Sequence, residues 1–196
     1  MKNESRIDDI RWYEKHPWMQ TYSGQKFHFL DPHPDEIRIV DIAHSLSLQC
    51  RYAGHVKKFY SVAEHCVHMS NNCNPKNALW ALLHDASEAY MVDICRPVKA
   101  FLSNYKDMES VIMKAIASKY GLLSDYPEEV HELDSRILFN EKILLSKIDW
   151  GWEMEPIAGL DLSKPWSSEI AERKFLQKFA ELNNISFDSI KQMNLL

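Results

Sequence analysis

Apolar side chains recur every three or four residues along most of this chain, which is the spacing of one buried face of an α-helix. These stripes predict helices over residues 35–50, 61–73, 77–90, 105–120, 128–149 and 167–182, with a short helical piece over 96–99. Apolar and polar residues alternate only over residues 21–29, around Ser23-Gly24, which predicts a small β-hairpin. The pattern therefore indicates an all-α fold, a helical bundle with a short N-terminal β-hairpin.

Two helix ends carry recognisable capping residues. Ser61 is followed three residues later by Glu64, as in a capping box, and Gly121 follows Tyr120 as a usual C-cap. Residues 150–166 are rich in Gly, Pro and Trp and predict a loop. A length of 196 residues favours a single domain. We expect its core over residues 35–149, with the hairpin segment and the C-terminal helix packed on it.

Composition and charge narrow the classes of partner. The chain has only 5 glycines, which argues against glycine-rich phosphate loops, and its net charge is −5. Without an overall basic field, a nucleic acid polymer is not an expected partner. Any phosphate group must then be held by local cations or by a metal ion.

The chain shows no signal for export or for membrane insertion. No apolar stretch approaches the length of a membrane span, and no apolar region follows the charged first residues. The 4 cysteines contain no C-x-x-C pair, which disfavours a structural zinc knuckle. We therefore predict reduced cysteines and a cytoplasmic protein without membrane contact.

Four polar residues occupy positions where the predicted helices call for apolar ones. Asp134, for example, lies four residues after Val130 and four before Leu138. Burying an unpaired carboxylate costs several kcal/mol, so Asp134 should have a partner. Each residue alone fits a hydrogen-bonded core histidine or an ion-paired aspartate, whereas the set favours a divalent metal such as Mn, Co, Zn, Ni or Fe. The set is His65, His84, Asp85 and Asp134.

The stretch around His84 concentrates this chemistry. On a helix His84 and Glu88 lie one turn apart on the same face, and Asp85 is rotated by about 100° from His84. An imidazole and a carboxylate that converge suit a metal, and the second carboxylate, Glu88, suits a general acid or base. The alternative is a helix end that leaves the core and meets water.

These residues carry a resemblance to a known family. The order His65, His84-Asp85 and Asp134 resembles the H…HD…D signature of the HD-domain phosphohydrolase superfamily. Residues 61–65 (SVAEH), 84–88 (HDASE) and 96–99 (RPVK), together with Asp93, are similar to its 5′-deoxynucleotidase branch. The same layout is similar to that of phage dATP triphosphohydrolases. The resemblance implies an HD-domain helical bundle.

The resemblance also implies roles for individual residues. His65, His84, Asp85 and Asp134 match the metal ligands, and Glu88 matches the residue that orients or activates the attacking water. Arg51 matches a substrate arginine, and Asp93 matches a residue near the sugar and the leaving oxygen. Tyr52, at a substrate-binding position, departs from the pattern, because the bacterial nucleotidases have Trp there.

Two further residues, Lys99 and His55, each have a functional and a structural interpretation. Lys99, with Arg51, could grip phosphate at the rim of the pocket, although lysines near loops are usually only solvated. His55 could bind substrate or protonate the leaving group, or it could simply pack on Tyr60.

We therefore expect a metal-dependent phosphohydrolase that binds a small 2′-deoxynucleotide and cleaves its 5′ phosphate ester. The first alternative is a dATP or dNTP triphosphohydrolase, for which Mg is an added candidate metal. The second is a non-catalytic nucleotide-binding HD sensor. The resemblance further implies a homo-oligomer, a dimer or larger.

Overall fold

The N-terminal β-hairpin is present but shorter than predicted. The structure, a computed structural model, describes residues 17–122, 125–145 and 155–193. Strand β1 (Met19–Gln20) pairs antiparallel with β2 (Lys26–Phe27), and Met19 lies opposite Phe27. The predicted span of 21–29 is wrong in position because residues 21–25 form the turn, in which the Thr21 N–H donates to the Gln25 carbonyl at 2.9 Å.

The rest of the described chain is mostly helical. Short 3₁₀ turns cover Pro34–Glu36, Arg51–Gly54 and Pro75–Asn77. None of the described helices is both long and apolar enough to cross a membrane. The α-helices, in chain order, are α1 (Ile39–Leu48), α2 (Val62–Asn72), α3 (Ala78–Leu83), α4 (Glu88–Met91), α5 (Arg96–Lys99), α6 (Tyr105–Tyr120), α7 (Glu128–Leu145), α8 (Ser168–Leu182) and α9 (Phe187–Met193).

Several helix ends confirm the sequence prediction. α6 ends at Gly121, which adopts the left-handed conformation with φ 62°. α8 begins after Ser167, whose hydroxyl accepts the N–H of Ile170 at 3.4 Å. α7 begins at residue 128 as predicted and is described to residue 145, so the predicted end at 149 lies outside the described residues.

The start of α2 confirms half of the predicted capping box. The Ser61 hydroxyl accepts the Glu64 N–H at 3.1 Å. The Glu64 carboxylate accepts the backbone N–H of Trp166 at 2.9 Å, which ties the loop before α8 to α2. The glutamate therefore has a tertiary partner that a local motif does not reveal.

The predicted helix over residues 77–90 is interrupted, so its continuity was a wrong prediction. Residues 84–87 form turns in which the Glu88 N–H bonds the Asp85 carbonyl, at 2.9 Å and only three residues away. The His84 ring contacts the Ala81 carbonyl at 2.8 Å, which is the acceptor that an α-helix would offer to the Asp85 N–H. The His84 side chain thus contacts the preceding helical turn at the point where the α-helix ends.

The first predicted helix is also shorter than expected. It begins at Ile39 because Ile37 and Arg38 are extended, and it ends at Leu48, before Cys50, which forms a β-bridge with Ser61.

All four cysteines are free thiols, as predicted.

Helix α8 is part of the main hydrophobic core. It packs against α1, α2 and α3, and Phe175 and Ala171 are fully buried in the same cluster as Val62 of α2 and Leu83 of α3. Helices α2 and α3 also pack directly on each other. This arrangement brings His65 of α2 beside His84, which follows α3.

Candidate metal centre and active site

The four predicted metal ligands lie in one cluster in the described structure. His65 Nε2 lies 3.2 Å from His84 Nε2, and both rings are buried. His84 Nε2 lies 3.2 Å from Asp85 Oδ2, and His65 Nε2 lies 3.4 Å from Asp134 Oδ1. His65, His84 and Asp134 each offer a ligand atom within 4.8 Å of the others, a group that could hold a metal ion.

The hydrogen bonds of the two imidazoles fix which nitrogen faces the cluster. His84 Nδ1 lies 2.8 Å from the Ala81 carbonyl, and His65 Nδ1 lies 2.6 Å from Glu141 Oε1. A carbonyl and a carboxylate accept hydrogen bonds, so each Nδ1 carries a hydrogen and each Nε2 is the nitrogen that faces the cluster. This is the usual arrangement of histidines that bind metals through Nε2. Two Nε2 atoms 3.2 Å apart are stabilised by a cation or a shared proton between them.

Electrostatics keeps the two aspartates ready to bind a cation. Burial raises the pKa of Asp134, but the hydrogen bond and charge of His65 outweigh burial and hold that pKa well below its usual range. Burial likewise raises the pKa of Asp85, and the neighbouring His84 more than reverses this effect. Asp134 also has the partners that its place in an apolar stripe required, His65 and the guanidinium of Arg96.

Cys66 is a nearby donor that sequence reasoning treated only as a small apolar residue. It forms a second possible ligand group with His84 and Asp85, and its Sγ lies 4.0 Å from His84 Nδ1. Burial raises the pKa of the Cys66 thiol to about 11.

A cavity of about 410 Å³ opens beside the ligand cluster. Asp85 and Asp134 form part of its wall, so the cluster is reachable from the cavity. His55 lies on an exposed turn and is not among the lining residues, so its role stays a prediction. The other residues predicted for catalysis or substrate binding all line the cavity: Arg51, Tyr52, Glu88, Asp93 and Lys99.

Glu88 presents a free carboxylate oxygen in this wall. Its Oε1 accepts a hydrogen bond from Lys99 Nζ at 3.0 Å, whereas the buried Oε2 has no hydrogen-bond partner among the described residues. Burial and the charges of Asp85 and Asp93 raise the pKa of Glu88 to about 8. A cation at the neighbouring cluster would offset this repulsion and favour the ionised form.

Glu141 is a site residue that the predicted set missed. It is fully buried on α7 and contacts His65, Arg51 and the hydroxyl of Tyr52. Burial raises its pKa, but Arg51 and His65 reverse the effect and lower it to about 2. The sequence did carry a signal, because Glu141 lies seven residues after Asp134 within the same apolar stripe.

Two backbone segments that border the cavity adopt unusual conformations. Tyr52 and Ala53 are left-handed, with φ of 58° and 52°. Val92, which precedes Asp93, has φ 75° and ψ 143°, a region that β-branched residues rarely enter. Its carbonyl accepts the Tyr105 hydroxyl at 2.8 Å, and the Asp93 N–H donates to Gln49 Oε1 at 2.8 Å. These bonds hold Asp93 in place despite the strain.

Replacing Val92 with glycine is expected to stabilise the fold. Relief of the strain should exceed the entropy cost of glycine and raise the free energy of unfolding by about 1 kcal/mol. Urea unfolding measures this change. Val98→Gly is the matched control, because Val98 is a similarly exposed helical residue whose replacement should only destabilise. A loss of stability in Val92→Gly equal to that in the control would contradict the prediction.

The fold and the cluster define a mostly helical protein with a possible buried His/Asp/Cys metal-binding site. No protein-family model matches the chain. YfdR of Escherichia coli (strain K12), an uncharacterized protein, is 37% identical to it over 172 residues, 86% of this chain and 97% of YfdR. An uncharacterized protein of Rhodobacter capsulatus is 34% identical over 126 residues, 59% of this chain and 64% of that protein. The chain belongs to the family of YfdR.

Proposed function

We propose that the protein is a metal-dependent phosphohydrolase of the HD-domain superfamily that cleaves the 5′ phosphate ester of 2′-deoxynucleotides. The observation that carries this proposal is the pair of facing Nε2 atoms of His65 and His84, 3.2 Å apart beside Asp85 and Asp134. Two imidazoles and two carboxylates suit Mn, Co, Zn, Ni or Fe. The cavity volume of about 410 Å³ falls in the range of small-molecule sites.

The donor set fits a metal ion, which His65, His84, Asp85 and Asp134 would hold. When bound, such an ion supplies Lewis-acid chemistry, because it acidifies water and neutralises phosphoryl charge. The protein supplies the remaining positions. The guanidinium of Arg51, 3.5 Å from Asp85 Oδ2, faces the cavity and can donate to phosphoryl oxygens.

Two carboxyl groups are placed for proton transfer. Glu88 Oε2 is free to accept a proton from the attacking water, and Lys99 holds the other oxygen of the same carboxylate. Burial raises the pKa of Asp93, so its carboxyl group can carry a proton and donate it to the departing 5′ oxygen. Attack of water on phosphorus breaks the P–O5′ bond and yields a deoxynucleoside and orthophosphate.

Product analysis on an unbiased substrate panel tests the proposal. The purified protein is incubated with Mn²⁺, Co²⁺ or Zn²⁺ and each dNMP, each dNTP and the ribonucleotide counterparts, and products are resolved by ion-exchange chromatography. Deoxynucleoside and orthophosphate from dNMPs would support the proposal. Metal binding without turnover of any nucleotide would reject it in favour of a nucleotide-binding sensor.

A dNTP triphosphohydrolase is the second candidate. The Arg96 side chain is 60% exposed at the cavity wall next to Asp134, where it could contact additional phosphates. Release of tripolyphosphate, chiefly from dATP, would support this alternative in the same experiment.

Metal should stabilise the chelator-treated protein. A ligand at 100 times its Kd adds about 2.7 kcal/mol to the free energy of unfolding, which for a protein of this size raises Tm by roughly 5–10 °C. Thermal melts with and without Mn²⁺ or Co²⁺ measure the shift. His84→Ala should lose it, and His68→Ala should keep it, because His68 lies on the same helix as His65 but contacts Glu64 and Trp166. An unchanged Tm at millimolar metal would contradict the prediction.

A further inference from the structure

Glu141 connects the metal-ligand cluster to the wall of the cavity. Its Oε1 accepts the Nδ1–H of His65 at 2.6 Å. Its Oε2 accepts a hydrogen bond from Arg51 Nη2 at 3.2 Å and one from the Tyr52 hydroxyl. The two oxygens of one carboxylate therefore contact a candidate metal ligand on one side and two cavity residues on the other.

The surroundings of Glu141 make these contacts necessary for its burial. It is fully buried, and Ile137 and Leu144 on the same helix are also buried. A carboxylate among apolar side chains must receive hydrogen bonds and a counter-charge. His65, Arg51 and Tyr52 provide both. Removing the carboxylate would leave the Arg51 charge, which is itself largely buried, with Asp85 as its other close anionic partner.

The turn that carries Arg51 and Tyr52 also depends on an anchor. Tyr52 and Ala53 are both left-handed, a conformation that L side chains other than Asn and Asp rarely adopt. The Tyr52 hydroxyl reaches Glu141 from this turn, and the Arg51 N–H bonds the Tyr60 carbonyl at 3.0 Å. The contact with Glu141 thus fixes the side chains of a turn whose backbone alone would not favour this shape.

We propose that Glu141 is a positioning residue that organises both halves of the site through one carboxylate. Oε1 holds His65 in the tautomer that leaves Nε2 for the metal, and Oε2 holds Arg51 and Tyr52 at the cavity wall. The second role rests on the proposed function, because it assumes that Arg51 binds the phosphate group of the substrate.

Two variants and two binding measurements test this assignment. Glu141→Met keeps the size of the side chain and accepts no hydrogen bond, whereas Glu141→Gln keeps one acceptor oxygen for three donors. The first probe is Co²⁺ alone, and its binding is measured from its visible spectrum and by calorimetry. The second probe is inorganic phosphate, which is added to the Co²⁺-loaded protein. Loss of an outer partner of a metal ligand typically weakens metal affinity 10- to 100-fold. We expect Glu141→Met to weaken Co²⁺ and phosphate affinity each by at least about tenfold and Glu141→Gln to have smaller effects.

Glu64→Gln is the matched control. Glu64 is as deeply buried as Glu141, at 1% exposure, but its carboxylate accepts from the Trp166 backbone. The control should lose stability and keep both affinities within about twofold, well short of the effect of losing an outer partner.

An unchanged Co²⁺ affinity or an unchanged phosphate affinity in Glu141→Met would overturn the shared role, whatever the change in stability. If the methionine variant does not fold, Glu141→Gln decides, and two unchanged affinities in that variant overturn the role. A wild-type protein that binds Co²⁺ and phosphate but hydrolyses no nucleotide would reject the phosphohydrolase while leaving the role of Glu141 decided by the binding data.

Discussion

Asp85→Ala is expected to abolish metal binding and hydrolysis together. The carboxylate of Asp85 lies 3.2 Å from His84 Nε2 and also pairs with Arg51, so its loss removes one proposed ligand and one partner of the Arg51 guanidinium. Metal affinity should fall by more than about 100-fold, since the loss of a mere outer partner can already cost that much. Metal analysis after gel filtration and the hydrolysis rate with saturating Mn²⁺ measure the two losses.

Asp41→Asn provides the matched control for that variant. Asp41 is an aspartate buried more deeply than Asp85, and it accepts hydrogen bonds from Thr21 and Ser23 in the hairpin turn. The control should lose stability and keep metal and rate. If Asp85→Ala keeps a stoichiometric ion and full activity, the ligand assignment is wrong.

The candidate ligands could be predicted from the sequence because a polar residue on the buried face of a helix interrupts the periodic pattern of apolar residues. Asp134 interrupts an apolar stripe of α7, and the expectation that a buried carboxylate has partners is confirmed by His65 and Arg96. His65 interrupts the stripe of α2 in the same way. A polar residue in an apolar stripe therefore marks a position that needs a polar partner before that partner is known.

Partners far apart in the sequence could not be predicted in this way. The glutamate at position 141 was visible in the stripe, yet its donors His65 and Arg51 lie 76 and 90 residues away. Glu64 fits a local capping motif, whereas its carboxylate bonds Trp166, 102 residues away. Periodicity reports which side of a helix is buried and carries no information about which helix covers it.

Local departures from regular structure were missed for a different reason. The α-helical hydrogen-bond pattern stops at His84-Asp85, although neither residue is glycine or proline. The positive φ values of Tyr52, Ala53 and Val92 have no composition signal, since none of them is glycine. Both kinds of departure lie next to the candidate site, where local preference yields to tertiary contacts.

Glu88→Gln is expected to keep the metal and lose most of the rate. Its carboxylate does not belong to the ligand cluster, so Co²⁺ affinity should stay within a few fold of wild type, a small change beside the 10- to 100-fold cost of losing an outer partner of a ligand. An amide cannot accept a proton from water, and loss of a general base typically lowers kcat by about 10²- to 10⁴-fold. Metal titration and kcat at saturating substrate give both values.

Glu109→Gln separates this role from the positioning of Lys99. Glu88 and Glu109 both accept hydrogen bonds from Lys99 Nζ, at 3.0 and 3.1 Å. Of these two glutamates, Glu88 lines the cavity beside the ligand cluster and Glu109 does not. If Glu88 handles the attacking water, Glu109→Gln should keep kcat within a few fold, well short of the loss of a general base. Equal losses in the two variants would show that Glu88 acts only through Lys99, and the base would then have to be another group in the cavity wall, with Asp93 the next carboxylate to replace.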